Sequence, residues 1–236
     1  MDFLHKIYYD EVIRKNEVKI MKKEELYRFV DHTALKAVTT WKEIQQLCQE
    51  ARFFRMASVC IPSSYVKRAH DYFPELNICT VVGFPLGNAS AEAKLTETRQ
   101  ALEDGASEID MVINLGMVKN GQYQQVTEEI RQLKEATGDK ILKVIIETCY
   151  LTEEEKIRMC EAVTEAGADF IKTSTGFGTG GATLEDVLLM KAHVGPNVKI
   201  KAAGGIRSKE DMENYIAAGC SRIGTSSAIA MLQDGE

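Results

Sequence analysis

The strongest constraint on the fold is a short pattern that occurs three times: Glu103-Asp-Gly-Ala-Ser-Glu-Ile-Asp110, Glu165-Ala-Gly-Ala-Asp-Phe-Ile-Lys172 and Ala217-Ala-Gly-Cys-Ser-Arg-Ile-Gly224. In each, a helical run ends at a glycine suited to the left-handed position just past a helix, and an apolar strand follows. Five positions after each glycine comes the aligned strand-end residue, Asp110, Lys172 or Gly224. The glycines are 62 and 52 residues apart, close to twice a strand-helix unit of about 30 residues. At half the shorter spacing, 26 residues, units from Tyr27 to Met231 make eight.

The remaining elements follow the same alternation. Thr40-x-x-Glu43 is a capping box, and Ile44, Leu47, Cys48 and Ala51 form the apolar stripe of the helix it opens. Thr152-x-x-Glu155 and Ser208-x-x-Asp211 repeat the start signal. Between helices the sequence predicts strands at 56–60, 78–82, 109–113, 141–146, 170–173, 198–201 and 222–224, with a first strand at 27–30. Most are apolar on both faces, as parallel strands covered by helices are. The expected fold is α/β, a single-domain (β/α)8 TIM barrel over residues 23–236 with an extension, residues 1–22, expected to be helical. A doubly wound open sheet is the competing architecture.

Composition narrows the partners. The chain has 236 residues, a formal charge of -6 and no basic run, which disfavours nucleic acid. No apolar stretch approaches the ~20 residues of a membrane span, and the charge of Met1 to Ile20, with no apolar core, argues against a secretory signal. The six cysteines form no Cys-x-x-Cys pair, and the four histidines show no zinc-ligand spacing. Scattered thiols without an export signal predict reduced cysteines and a cytoplasmic protein.

Barrel active sites lie at the C-terminal ends of strands. There the sequence places Lys143, Lys172 and Lys201, with Asp110 inside Glu-Ile-Asp-Met-Val-Ile. Burial and a second cation both disfavour an ammonium, and a neutral lysine amine can attack a carbonyl to form a Schiff base. Structural ion pairing is the alternative for each lysine, and spacing alone does not separate Lys201 from Lys199. Gly204-Gly205 and Gly224-Thr-Ser-Ser227 follow the seventh and eighth strands, where many barrels bind phosphate through backbone N–H groups. Gly176-Phe-Gly-Thr-Gly-Gly181 mimics a dinucleotide fingerprint, but the stretch ~20 residues on, Val198-Lys-Ile-Lys-Ala202, lacks the required acid. That loop is expected to cover a substrate, with Gly176 near the phosphate.

Eight motifs in order now resemble the deoxyribose-phosphate aldolase family of class I, Schiff-base aldolases: Asp31-His-Thr-Ala-Leu35, Val59-Cys-Ile-Pro62, Val82-Gly-Phe-Pro-Leu-Gly87, Glu108-Ile-Asp-Met-Val-Ile-Asn114, Leu142-Lys-Val-Ile-Ile-Glu-Thr148, Phe170-Ile-Lys-Thr-Ser-Thr-Gly176, Lys201-Ala-Ala-Gly-Gly-Ile-Arg207 and Ile223-Gly-Thr-Ser-Ser227. The resemblance implies reversible cleavage of 2-deoxy-D-ribose 5-phosphate to acetaldehyde and D-glyceraldehyde 3-phosphate, with no cofactor and no metal. It makes Lys172 the Schiff-base residue, Lys201 the cation that lowers its pKa and relays protons, and Asp110 the proton shuttle, through an ordered water. Lys143 and Asp31 support that network. Thr33, Cys60, Thr173 and Gly176 become substrate-binding or supporting positions, Cys60 lining the channel or serving as a small buried hydrophobe. Gly204, Gly205, Gly224, Ser226 and Ser227 become phosphate ligands.

The partner is then a small sugar phosphate, with no nucleic acid and no membrane, in a homodimer or homotetramer serving deoxynucleoside salvage. Two departures stand out. Some relatives end in a tyrosine tail, whereas this sequence stops at Asp-Gly-Glu236, so no tail phenol is expected to protonate the enamine. Phe3, Leu4, Ile7, Tyr8 and Val12 would pack the extension on the barrel or on a second subunit. The competing functions are an epimerase or an aldolase for another sugar phosphate, and a non-catalytic sugar-phosphate-binding barrel. An epimerase forms no covalent adduct with acetaldehyde, and a binding module exchanges no acetaldehyde protons.

Overall fold

The structure, a computed structural model, describes residues 21–233. It is a closed barrel of eight parallel strands in sequence order. The elements run α1 (Lys23–Tyr27), β1 (Val30–Thr33), α2 (Trp41–Phe54), β2 (Ser58–Ile61), α3 (Val66–Tyr72), β3 (Ile78–Val82), α4 (Ala91–Glu103), β4 (Glu108–Val112), α5 (Leu115–Lys119), α6 (Tyr123–Thr137), β5 (Ile141–Ile145), α7 (Glu153–Glu165), β6 (Phe170–Lys172), α8 (Leu184–His193), β7 (Lys199–Ala203), α9 (Lys209–Ala217), β8 (Cys220–Thr225) and α10 (Ala228–Gln233). β1 closes on β8 through Val30 opposite Ile223 and Asp31 opposite Gly224. The open sheet is thereby excluded. The helical extension predicted for residues 1–22 falls almost wholly outside the described residues.

Local signals placed the helices well. Thr40, Thr152 and Ser208 each cap their helix in a reciprocal box with Glu43, Glu155 and Asp211. The repeat glycines 105, 167 and 219 have φ of +103°, +72° and +111°, which side-chain-bearing residues rarely adopt. That conformation stops each helix and turns the chain into the next strand. The apolar faces bury one continuous core between strands and helices, for example Val126, Ile130 and Leu133 of α6 against Leu142 and Val144 of β5.

Two expectations need correction. The first strand begins at Val30, not Tyr27: Tyr27 ends a short helix capped by Glu25 on the Lys22 N–H, and Asp31 lies within the strand. Tyr27 stacks on Phe54, 4.4 Å between centroids, so packing on α2 outweighs its β-propensity. Asp110, Lys143 and Lys201 occupy the middle of five-residue strands, and Lys172 alone of the four closes its strand. The four groups therefore sit at two depths.

One buried ion pair lies outside the barrel interior. Lys94 of α4 and Glu129 of α6 meet at 2.8 Å, and the Lys94 ammonium also donates to the Val112 carbonyl at 2.8 Å.

Candidate active site

Strand parity builds the site. Glu108 and Asp110 are two apart on β4 and so face the same way, into the barrel. The register sets Asp110 beside Lys143, Lys172 beside Lys201 and Lys201 beside Arg222. Seven charged side chains from six strands therefore converge: Asp31, Glu108, Asp110, Lys143, Lys172, Lys201 and Arg222.

Asp110 is the hub. Its Oδ2 accepts from Lys172 Nζ at 2.8 Å and from Lys201 Nζ at 2.7 Å, and its Oδ1 from Lys143 Nζ at 2.8 Å. Cys79 Sγ donates to Oδ1 at 3.1 Å. Lys201 also reaches Asp31 at 2.5 Å, and Lys143 reaches Glu108 at 2.6 Å. Arg222 bridges Asp31 and Glu108 at 2.5 and 3.1 Å, and Ser58 donates to Asp31 at 2.7 Å. Among the described residues this is four cations against three carboxylates.

Burial alone would neutralise such groups, but here partners outweigh it. Burial pushes the Asp110 carboxyl up, yet the three surrounding lysines hold it well below the usual carboxylate range. Asp31 is likewise held down by Lys201, Lys143 and Arg222 against the cost of burial. Burial lowers Lys143 and Lys201, and the carboxylates around each more than offset it, so both are raised. Structural ion pairing, the alternative for each lysine, thus describes these two. Lys199 is settled as well: it is exposed at the start of β7, its ammonium 5.6 Å from the Phe170 ring centre, while Lys201 is buried.

Above this cluster opens a cavity of about 990 Å³. Of the four cluster cations, Lys172 is the one that lines it, with Thr33, Gly176, Gly204, Gly205, Gly224, Ser226 and Ser227. Asp31, Asp110, Lys143 and Lys201 lie beneath, buried. Gly224 also has a packing reason to be glycine, since a Cβ there would lie 3.1 Å from Lys201 Cε. Gly205, Arg207, Ser226 and Ser227, all lining the cavity, are exposed. The backbone N–H groups of Gly205 and Ser226 have no acceptor among the described residues.

Two predicted positions fall elsewhere. Thr173 is buried and ties β6 to β7, its hydroxyl donating to the Ala203 carbonyl and accepting from the Ala203 N–H, both at 3.1 Å. Cys60 does not line the cavity; it is packed in the barrel interior with Cys79 and Val81. Cys60, Cys79 and Asp110 bring ligand atoms within 4.8 Å of one another. Three ammonium groups already hold Asp110, so a metal cation would meet their repulsion. All six cysteines are free.

Sequence reasoning missed Glu108, Arg222, Cys79 and Ser58. Glu108 was legible from its parity with Asp110, and Arg222 stands in the third repeat two residues before Gly224. Nothing in their local sequence marks Cys79 or Ser58, because only barrel closure brings them to the cluster.

The fold and site define a barrel enzyme with a lysine at its cavity floor and a buried cluster of paired charges beneath. Residues 26–231 match the family model described as "DeoC/LacD family aldolase". The chain belongs to that aldolase family. It is 63% identical over 217 residues to a protein of Clostridium botulinum (strain Alaska E43 / Type E3) named deoxyribose-phosphate aldolase, covering 92% of this chain and 98% of that one. A Clostridioides difficile (strain 630) protein of the same name is 58% identical, covering 89% and 96%. Among solved structures, the Aeropyrum pernix deoxyribose phosphate aldolase, described as a tetramer, superposes with a TM-score of 0.84 at 29% identity, covering 95% and 96%.

Proposed function

We propose that this chain is a deoxyribose-phosphate aldolase of class I, cleaving 2-deoxy-D-ribose 5-phosphate reversibly to acetaldehyde and D-glyceraldehyde 3-phosphate through a Schiff base on Lys172. The observation that carries the reading is Lys172 at the cavity floor, 3% exposed, sharing one oxygen of Asp110 with Lys201. The cluster holds one cation more than its carboxylates balance. Lys143, Lys201 and Arg222 each contact two carboxylates within 3.1 Å, whereas Lys172 contacts Asp110 alone. Lys172 is therefore the cluster's least compensated cation, and the reaction uses the lone pair of its nitrogen at the cavity.

That lone pair attacks the C1 carbonyl carbon of the open-chain sugar, giving a carbinolamine whose hydroxyl leaves as water with a proton returned by Asp110 or Lys201. The resulting iminium draws the C2–C3 bonding electrons as the C3 hydroxyl loses its proton. The bond breaks to glyceraldehyde 3-phosphate and an enamine on Lys172. Protonation of the enamine at C2 and attack of water on the iminium release acetaldehyde. The iminium is the electron sink, so these steps call on no metal or cofactor. The mouth formed by Gly204, Gly205, Gly224, Ser226 and Ser227 suits the phosphate, with Arg207 adding positive charge. Asp31 and Lys143 keep Lys201 and Asp110 in place, with Glu108 and Arg222 closing the network.

No helix among the described residues is long and apolar enough to cross a membrane, and the six free thiols fit a reducing cytoplasm. A homo-oligomer, dimer or tetramer, acting in deoxynucleoside breakdown completes the proposal, supported by the tetrameric Aeropyrum neighbour.

The test is borohydride reduction in the presence of acetaldehyde, followed by peptide mass mapping. The expected result is a two-carbon adduct on Lys172 that is absent from a folded Lys172→Met protein. An adduct on Lys201 or Lys143 would overturn the role assignment, and no lysine adduct would overturn the aldolase chemistry.

A further inference from the structure

The glycine-rich segment 176–181 resembles a nucleotide fingerprint in sequence, but its packing accounts for its glycines. A Cβ on Gly178 would lie 3.0 Å from Cys149 Sγ and 3.1 Å from the Glu147 carboxyl carbon, and one on Gly181 would lie 2.3 Å from the Gly204 carbonyl oxygen. The Ala182 N–H then bonds to the carbonyls of Ala203 and Gly204, at 3.1 and 3.0 Å. The loop is thus wedged between the turn after β5 and the turn after β7. Gly176 and Phe177, at its start, line the cavity beside Lys172, and the Phe177 ring meets Phe84 edge-on at 5.3 Å.

Glu147 anchors this loop. Its φ is +52°, a left-handed conformation that a glutamate adopts at a cost and that marks sites held by their surroundings. The turn brings the Thr148 N–H back to the Thr173 carbonyl at 3.0 Å, and the buried Glu147 carboxylate reaches Thr175. The Thr175 N–H donates to both carboxylate oxygens, at 3.1 and 3.3 Å, and the Thr175 hydroxyl donates to Oε2. That hydroxyl accepts in turn from the Phe177 N–H at 3.0 Å. The relay runs from Glu147 through Thr175 to Phe177, which lines the same cavity as Lys172.

We propose that Glu147 is a positioning residue for the aldolase reaction, its carboxylate holding the 176–181 loop against the Gly204–Gly205 turn and so setting the distance from the phosphate mouth to Lys172. This rests on the aldolase reading above. The relay needs an acceptor-only group. In Glu147→Gln one accepting oxygen becomes an NH2: placed toward the Thr175 N–H it sets donor against donor, and flipped toward the Thr175 hydroxyl it takes away that hydroxyl's acceptor, so one contact is lost either way.

The experiment compares kcat/KM for 2-deoxyribose 5-phosphate with that for unphosphorylated 2-deoxyribose, alongside acetaldehyde trapping on Lys172. In Glu147→Gln the adduct is expected to persist, because acetaldehyde carries no phosphate. The phosphorylated-to-unphosphorylated ratio is expected to fall about tenfold, the equivalent of one hydrogen bond. Thr175→Val is read the same way should Glu147→Gln fail to fold, and Thr175→Ser, which keeps the hydroxyl, is expected to retain the wild-type ratio. An unchanged ratio overturns the proposal, whether both substrates decline together, as a merely structural role would give, or neither declines. Wild-type protein without a Lys172 adduct is a separate result, which overturns the aldolase reading first.

Discussion

Two buried ion networks in this molecule respond to burial in opposite ways. Between α4 and α6, Lys94 and Glu129 form an isolated pair: burial pulls the lysine down and pushes the glutamate up, and their mutual attraction does not reverse it. Inside the barrel, Lys143 and Lys201 are raised and Asp31 and Asp110 are lowered, although these groups are more deeply buried. The difference is the number of partners. Each group in that pair has one counter-charge within ion-pair distance, with Glu97 acting on Lys94 from farther off, whereas each of those four barrel residues has at least two. Desolvation is charged once per group, while attraction adds with every neighbour. A dense cluster can therefore keep charges ionised where a lone pair cannot, and it can carry one surplus cation at the edge that opens to the cavity.

The sharpest way to test that contrast is at the surplus cation. Lys172→Met is expected to lower kcat/KM by at least ~10⁴-fold, as loss of a covalent nucleophile does, while urea unfolding moves by no more than about 1 kcal/mol. A large stability loss would show that Lys172 is not the surplus charge. Lys143→Met should behave in the opposite manner, leaving Asp110 and Glu108 short of a counter-charge and costing about 3–5 kcal/mol in the same unfolding assay. Equal losses at the two lysines would break the comparison.

Acid should separate the networks by sign. The folded protein keeps Asp31 and Asp110 ionised below their ordinary value of 3.8, so the unfolded chain takes up their protons first. Their contribution is full above about pH 5 and falls as pH drops through 4, by at most about 1.4 kcal/mol per pH unit for each carboxylate. Glu129, raised above 4.5, is protonated first in the folded protein and so gains relative stability as pH falls just above that value. Denaturant titrations from pH 7 to 3 should show a flatter acid limb in Asp31→Asn and a steeper approach to pH 4.5 in Glu129→Gln. If Asp31→Asn leaves the limb unchanged, the cluster is not what acid attacks. The smallest effect is expected for Lys94→Met/Glu129→Leu. Replacing the whole isolated pair by apolar groups should change stability by less than about 1 kcal/mol, or increase it, with kcat/KM unchanged.

Much of this site could be read from the chain, and the reason is geometric. Lys172 and Asp110 were placed by a local repeat, and Gly204, Gly205, Ser226 and Ser227 by their position after strands. Each is a property of a few neighbouring residues. The partners of Asp110 were only partly legible. Glu108 was within reach of parity, but Cys79 and Ser58 come from strands whose inward faces look like any small-residue core. Glu147 was quoted only as part of a motif, because nothing in the sequence announces its left-handed backbone or its contact with Thr175, 28 residues on. The glycines at 176–181 were read from sequence as a substrate-covering loop, but the close approach of Gly178 to Cys149 and of Gly181 to Gly204 needed three dimensions.

By itself the sequence determined where helices begin and end, how many strand-helix units exist, and which charged residues the strands carry, since caps, glycine stops and hydrophobic period act over a few residues. Which lysine reaches the cavity, which carboxylate is shared and which turns the 176–181 loop packs against were decided only by tertiary structure. Those properties depend on counter-charges arriving from six different strands, and their energies exist only once the barrel has closed and excluded water.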